Sequence, residues 1–591
     1  MTFNYQDFLL GADDKPNGVQ FGYPVPGPQQ SRPDQIAGGA FSLSASDWDR
    51  LVNQGQDFIV IGTGPTAVAF VDQALNNDPH ASILMLERGN FCLPVHYQNL
   101  PLPFQFNSGS APTTYPWTRS SEMATSGLRL FQAGYIPVLG GRSTYWSAWC
   151  PAPDAGLLRD WPQELVDVTL QDGFWDRARA FLHVTTMDQV DDGVYGRLQQ
   201  QLGANLRERY RSAVPGAEHA YAAPIAVGNS GWNGIGFYKY STVGALLDLQ
   251  QQQQARAAAG SGAALHIADN CVVSRLLHDE RGTVTAIATS RGVVAVGNAR
   301  VILAMGTIPP ATLLMNSFGE RLPNAGRRYT GHFMSHVTAR VRRSAFKDLA
   351  PLELGAVYLD GKDAAGYQYH VQASAFAVAD PVAGAATVAR EAPDAAAVAS
   401  PQQLAGSGDH VVFVCATLGE VNENNPGNAI WRNGGSDPTT NISLQLQPGP
   451  EDMTLWYVLD EATYQTIDAM TGGAAVEYWT DAPAGSASAA DAGGSWGPAR
   501  PPQSQIRLPI IVHEASPLWM GPDPATSVVG LDYRPHGVRN VYVTGGALFP
   551  TSGSWNPTLM MCGLAQDLAD RLQPASQATA TSAGNGVHTP G

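Results

Sequence analysis

The chain has 591 residues, of which 44% are hydrophobic and 15% charged. That is ample apolar material for a core, too little charge for a disordered protein, and more length than one domain-sized unit needs. A formal net charge of −16 without any basic run argues against a nucleic-acid partner, because phosphate binding needs clustered Lys and Arg.

The opening stretch "MTFNYQDFLLGADDKPNG" has no basic region followed by an apolar one, so no secretory signal is expected. No apolar run reaches the ~18 residues of a membrane span. The expectation is a cytoplasmic or otherwise intracellular protein with no membrane partner. The cysteines Cys92, Cys150, Cys271, Cys415 and Cys562 are scattered, with no CxxC or His/Cys metal spacing. Neither a disulfide framework nor a metal site is indicated.

Residues 1 to 55 are polar and rich in Pro and Gly, and read as an extended arm. Within them "SASDWDRLVNQ" predicts a short helix capped near Ser46. "DFIVIGTGPTAVAFVDQAL" is then an apolar strand, a Gly-rich turn and an Ala/Val helix, and "ASILMLERG" is a second strand. This is a βαβ opening. Its turn reads G-x-G-x-x-A, with Gly62 allowing the tight turn and Gly64 letting the backbone approach a pyrophosphate. Ala67 keeps the helix close to the strand, and the helix start favours an anion. Glu87, twenty residues past Ala67, can accept hydrogen bonds from ribose hydroxyls. The order predicts dinucleotide binding, without separating NAD from FAD.

Residues 91 to 150 are loop-like and aromatic. They include "VLGGRSTYWSAW", where Gly140, Gly141, Arg142 and Ser143 offer donors to a phosphate or a flavin ring, or simply turn the chain. Residues 158 to 215 read as mostly helical. "VGALLDLQQQQQARAAAG" predicts a helix with its Gln run as a solvated face. The next stretch is a strand meander around a "HDERG" hairpin turn, ending in a buried strand. Residues 333 to 508 hold alternating strands such as "HVTARVRR", "GDHVVFVCATLG" and "TTNISLQLQ". Ala-rich segments interrupt them, as does "APAGSASAADAGGSWGPARPPQ", expected to be an exposed loop or lid. The last residues predict a disordered tail.

"PIIVHEASPLWMG" places His513 directly after an apolar run. Taken alone, such a histidine reads as buried and structural. "RNVYVTGG" is a strand delivering Gly545 and Gly546 to a loop, and "SWNPT" opens a helix, with Asn556 suited to the N-cap and Pro557 to the first turn. Leu559, Met560, Cys562, Gly563, Leu564 and Leu568 lie largely on one face and predict packing into the core.

Together "GTGPTA" with Glu87, "GGRSTYW", "ARVILAMGTIPPATLLMNS", "HEASPLWMG" and "SWNPT" resemble the glucose-methanol-choline (GMC) oxidoreductases, which bind FAD. The resemblance covers most of residues 55 to 573. Within that family the chain is most similar to the pyranose oxidase branch. "STYW" is similar to its S-T-H-W, and the N-P-T turn replaces a second histidine. "LQLQPGPED" and "LWYVLDEATYQTIDAM" stand where its substrate sheet and following helix are expected.

The resemblance implies an α/β (overall α+β) fold: a Rossmann-like FAD-binding domain, and a substrate-binding domain on a mostly antiparallel sheet with helices. The implied division is an arm at 1–55, FAD-binding parts at 56–160 and 236–332, and a helical cap at 161–235. A substrate domain follows at 333–508, a C-terminal FAD-binding and catalytic segment at 509–573, and a tail at 574–591. FAD is implied to contact Gly62, Gly64, Pro65, Thr66, Ala67, Glu87, Arg88, Gly140, Gly141, Arg142, Ser143, Val272, Gly306, Gly545, Gly546, Ala547, Asn556, Pro557 and Thr558. The start of the last helix, a positive dipole end, suits the negative charge of a reduced flavin.

The implied chemistry is oxidation of an alcohol, of a sugar, glycoside or other ring-containing compound, to a carbonyl. His513 is the implied base, and Asn556, 43 residues later, the partner that binds the substrate hydroxyl. The carbon-bound hydride goes to flavin N5, and oxygen or a quinone reoxidises the flavin. A histidine suits the role because its unperturbed pKa lies near neutrality.

There are departures. Ser516-Pro517 replaces the motif's Gly-Thr and removes an N–H, which leaves the loop shape open. Tyr145 stands where S-T-H-W carries the histidine that anchors FAD in some relatives, so non-covalent FAD is expected. "RRYTGHFMSH" only loosely echoes the family's N-L-x-D-H, and His332 and His336 read as structural. Gln447 and Glu451 are candidate sugar contacts, or a strand-end loop facing water. Trp146 or Trp555 could stack on a ring or pack the core. The alternatives are a lyase on the same scaffold, an oxidase of aromatic or secondary-metabolite alcohols, and a non-catalytic nucleotide-binding protein. Retention of both His513 and Asn556 argues against the last. The oligomeric state stays open.

Overall fold

Short, wholly apolar strands build the first layer. Phe58–Ile61 and Ile83–Leu86 are buried along their whole length, as a parallel sheet covered on both faces requires. The five-stranded order is Leu265–Ala268, Ile83–Leu86, Phe58–Ile61, Arg300–Leu303 and Val541–Val543, all parallel. Strands from both ends of the chain therefore share one sheet. The computed structural model describes residues 41–100, 123–130, 135–228, 237–394, 397–482 and 493–575, together with the short strands Val19–Gln20 and Tyr23–Pro24.

The helix Pro65–Asn77 leaves the first strand and packs on the last helix, Thr558–Leu572. Ala67, Phe70, Val71 and Ala74 are buried on it, and Leu559, Cys562, Gly563 and Leu564 on its partner. Gly563 is required here, since a Cβ would meet the Phe174 ring at 2.6 Å.

The second layer is a nine-stranded, mostly antiparallel sheet. Its centre is Thr330–Arg342, His410–Glu420, Gln368–Val378 and Leu352–Lys362, paired in that order. Arg507–Ala515 pairs with Thr330–Arg342 on its other side. The strands Leu352–Lys362 and Gln368–Val378 are buried on both faces, which erases the alternation that marks a half-exposed strand. The helix Pro450–Thr471 covers one face, with Trp456 stacked on Phe333 at 4.5 Å between ring centres. The other face shares one continuous apolar core with the parallel sheet.

Several expectations are corrected. The first described helix is Ala45–Leu51, and its cap is Ser44 rather than Ser46, the Ser44 hydroxyl accepting from the Asp47 N–H at 3.1 Å. This end of the supposed arm is docked: Trp48 is buried and donates to the Arg291 carbonyl. The Gln run of Thr242–Ala258 is not simply solvated. Gln250 and Gln253 are buried and donate to the carbonyls of Phe41 and Pro79. Residues 483–492 of the expected lid and 576–591 of the tail lie outside the described residues. The flanks of the former, Val476–Asp481 and Gly494–Gly497, form an antiparallel hairpin. Among the described residues no helix is long and apolar enough to cross a membrane.

Gly62 ends the first strand with φ of +108°, and a Cβ there would sit 2.5 Å from the Ala304 carbonyl oxygen. Gly62→Ala is expected to lose about 2–3 kcal/mol of stability, read as a lower urea midpoint at unchanged slope.

Candidate active site

A cavity of about 570 Å³ opens at the carboxyl ends of the parallel strands and runs to the second sheet. Ligands bind at such strand ends in open α/β sheets. Its first wall is the turn Gly62–Thr66. The side of Gly64 where a Cβ would point is open, with nothing within 4 Å. The helix that follows has Gly64 as its cap residue and Pro65 in its first turn, with no side-chain cap. Its first N–H groups are therefore available to an anion. Gly141 faces this turn, its missing Cβ 3.4 Å from the Gly64 Cα.

Glu87 is 6% exposed on the same wall. It accepts from the Thr63 hydroxyl at 2.6 Å and the Gly89 N–H at 2.9 Å. Desolvation nevertheless raises its pKa, and Thr63, Gly89 and Arg88 oppose that shift. The Gly140 N–H donates to the same Thr63 hydroxyl at 3.2 Å, which ties the second glycine turn to the first.

Of the residues expected at a cofactor, Gly62, Gly64, Pro65, Thr66, Glu87, Arg88, Gly141, Arg142, Ser143, Val272, Gly306, Asn556, Pro557 and Thr558 line this cavity. Ala67, Gly140, Gly545, Gly546 and Ala547 stand behind it. Ala67 and Ala547 are fully buried. Gly545 and Gly546 let their loop close on Gly306 and Thr307, where a Cβ would come within 2.7 Å. The Ser143 hydroxyl is spent internally, donating to the Gly140 carbonyl. An uncapped helix start, a glycine cradle and a buried carboxylate fit a dinucleotide.

The far end of the cavity belongs to the second sheet. The pairing of Arg507–Ala515 with Thr330–Arg342 slips: Val512 faces His332, but Ala515 faces Thr330. The outer strand thus carries one extra residue, a bulge, which bends the strand and re-aims a side chain. His513 lies in it with φ of +55° and lines the cavity half-buried. Desolvation, then His370 and the Arg142 cation, push its pKa down to about 3, so the ring is neutral. Its Nδ1 is 2.9 Å from His332 Nδ1. His332, which reads as structural from its sequence context, thus touches His513 directly. His336 lies off the cavity, opposite Ala416.

Next to His513, Glu514 holds Arg142 in a bidentate pair at 2.8 and 3.1 Å. The replaced Gly-Thr proves well accommodated. Ser516 adopts φ of +74°, a conformation glycine favours, and its hydroxyl lies 2.9 Å from that of Thr330. The Pro517 carbonyl accepts from the Gly326 N–H.

Asn556 does not cap the last helix. Thr558–Leu572 has Pro557 at its cap position, with no side-chain cap bond. The Asn556 amide is instead used sideways, its Oδ1 accepting from Gln372 Nε2 at 2.9 Å, and its Nδ2 donor is left for the cavity. Sequence reasoning missed Gln372, Glu514 and His370. A signal existed: Gln368, His370, Gln372 and Ser374 alternate along one strand and so share one face.

The proposed substrate contacts fare differently. Gln447 and Glu451 are exposed, beyond the small strand Ile442–Leu446 and in the first turn of Pro450–Thr471, and neither lines the cavity. Trp555 is 1% exposed and packs with Trp161 and Phe549, away from the cavity. Trp146 does line it, its indole N–H donating to the Tyr240 carbonyl.

Residues 462–565, which contain His513 and Asn556, match the family model described as GMC oxidoreductase. Among solved structures, the fold is similar to that of pyridoxine 4-oxidase from Mesorbium loti. The TM-score is 0.54 and the identity 13%, over 88% of this chain and 99% of that one. No curated protein matches the sequence. These matches do not single out the pyranose oxidase branch. Residues 462–565 are thus similar to the C-terminal segment of the GMC oxidoreductases, on a chain whose fold is similar to that of this oxidase.

Proposed function

We propose that the protein is an FAD-dependent oxidoreductase that converts an alcohol to a carbonyl. The observation that carries this reading is one cavity with a dinucleotide cradle at one end, and a neutral His513 and a hydrogen-bonded Asn556 at the other. The glycine turns at Gly62–Gly64 and Gly140–Gly141, Glu87, and the starts of the helices at Pro65 and Thr558 would hold FAD. When bound, FAD supplies the acceptor for the carbon-bound hydride, and oxygen or a quinone takes the electrons onward.

His513 takes the proton of the substrate hydroxyl, which raises electron density on the oxygen and favours hydride departure from carbon. Asn556 donates from Nδ2 to that oxygen, its orientation held by Gln372. The Arg142–Glu514 pair places a neutralised charge beside the base, so the cavity does not carry a bare cation. Met334, Ala416 and Leu418 make an apolar wall that excludes water. Tyr97, Trp146 and Trp149 line the same cavity and support a ring-containing alcohol such as a sugar, glycoside or aromatic alcohol. Tyr145 lines it as well, where some relatives carry a flavin-linking histidine, and this supports FAD held without a covalent link.

Anaerobic mixing with a panel of sugars, glycosides and aromatic alcohols should bleach the bound flavin. His513→Ala should keep FAD and slow that bleaching about 10²–10⁴-fold. A variant with the wild-type rate removes His513 as the base.

Acid denaturation should release all flavin to the supernatant, and a yellow pellet would contradict non-covalent attachment. The pH dependence has a definite sign. A lowered pKa means that the proton-accepting ring persists as pH falls, so the rate of flavin reduction should stay flat to about pH 5. It should decline only as pH approaches the folded value near 3, whereas an acid limb near 6.5 would show an unperturbed imidazole.

A further inference from the structure

We propose that His332 is a positioning residue that locks His513 in the tautomer whose lone pair faces the cavity. The proposal rests on the reading of His513 as the base.

The two Nδ1 atoms lie 2.9 Å apart, and a hydrogen must sit between them. A neutral imidazole has one N–H and one lone pair, so one ring donates and the other accepts. The far side of His332 settles the direction. Its Nε2 lies 3.4 Å from the Ser552 carbonyl oxygen, which can only accept. The N–H of His332 is therefore on Nε2, and its Nδ1 is a lone pair. The hydrogen between the rings belongs to His513 Nδ1, and the His513 lone pair is on Nε2. Among the described residues Nε2 of His513 has no partner in the chain, and the ring lines the cavity. The opposite tautomer would set two lone pairs against each other across that distance.

Both rings are neutral, since desolvation holds His332 well below the usual imidazole range. A neutral acceptor orients the base without the negative charge that a carboxylate would add, and such a charge raises imidazole basicity. The bulge makes the contact possible, because His332 is the residue paired with Val512, directly before His513. His370 closes the space behind, fully buried, edge-on to His332 at 6.3 Å between ring centres and stacked on Tyr358 at 4.9 Å. The other charged group acting on the pair is Arg142, which is ion-paired with Glu514 and has Tyr145 and Tyr329 as its own neighbours. Among the described residues no three His, Cys, Asp or Glu side chains converge as metal ligands.

The test uses the full chain with its bound flavin and three variants. His332→Leu keeps bulk but offers no acceptor, His332→Asn can present its Oδ1, and His332→Asp presents a charged oxygen. Each is checked for flavin content and thermal midpoint, and its flavin reduction by an alcohol is followed across pH. His332→Leu should slow reduction about 10–100-fold, and His332→Asn should recover most of that loss. His332→Asp should recover rate at neutral pH and move the acid limb upward by about one pH unit or more.

A folded, flavin-loaded His332→Leu protein with wild-type rate and pH profile overturns the proposal. So does an equal loss in all three variants with an unmoved profile, the mark of a packing defect. If His332→Leu does not fold, the contrast between the Asn and Asp profiles decides, and identical profiles overturn the proposal.

A second readout needs no substrate. In ¹⁵N-histidine spectra, assigned by the signals lost in His513→Asn, wild-type protein should show a protonated Nδ1 and a bare Nε2 on His513. A bare Nδ1 overturns the proposal. The predicted pattern in a protein that no alcohol reduces supports the lock and removes the oxidase reading.

Discussion

A one-residue slip between two strands organises the far end of the cavity. Because Arg507–Ala515 carries one extra residue between its pairings with His332 and Thr330, the strand kinks at the far end of the cavity. The kink holds His513 at positive φ, a conformation that costs a β-carbon-bearing residue free energy. The surroundings supply what holds it: the ladder on either side, the Ser516–Thr330 hydroxyl contact, and the contact with His332. Without the slip, the strand's strict alternation would put successive side chains on opposite faces. With it, Val512, His513 and Glu514 all reach the cavity.

The same end of the cavity is managed electrostatically. Arg142 is neutralised in a bidentate pair by Glu514, and the histidines behind it are kept neutral by burial. Net charge is thus held low around His513, and its ring stays neutral. At the cradle end the logic is reversed. Uncapped helix starts leave N–H groups open, and a buried carboxylate is kept by hydrogen bonds from Thr63 and Gly89. One end suits an anion and ribose hydroxyls, and the other suits a neutral hydroxyl. The first layer carries the former and the second layer the latter, so the site exists only where the two layers share their core.

Much of this was legible along the chain. The G-x-G-x-x-A turn identified the first strand, its helix and the acid at Glu87, because strand, turn and helix are local and their spacing is set by backbone geometry. The packed face of Thr558–Leu572 was legible through its periodicity. Leu352–Lys362 escaped notice because burial on both sides removes the alternation that marks a strand. Asn before Pro fits a helix cap, but the Asn556 Oδ1 instead accepts from Gln372, distant in sequence and adjacent only across the sheet. Gln447 and Glu451 were plausible by position, and end on the wrong side of their element.

The sequence by itself determined the βαβ opening with its glycine turn, the neighbourhood of His513 and Asn556, and the lack of any basic or zinc-like spacing, since each is written in local spacing or composition. Only the tertiary structure decided that His332 touches His513, that Glu514 pairs with Arg142, and that Trp555 belongs to the core. Those facts depend on a strand register and on which face of a sheet a residue takes. A shift of one residue in pairing reverses that face without changing a letter of the local sequence.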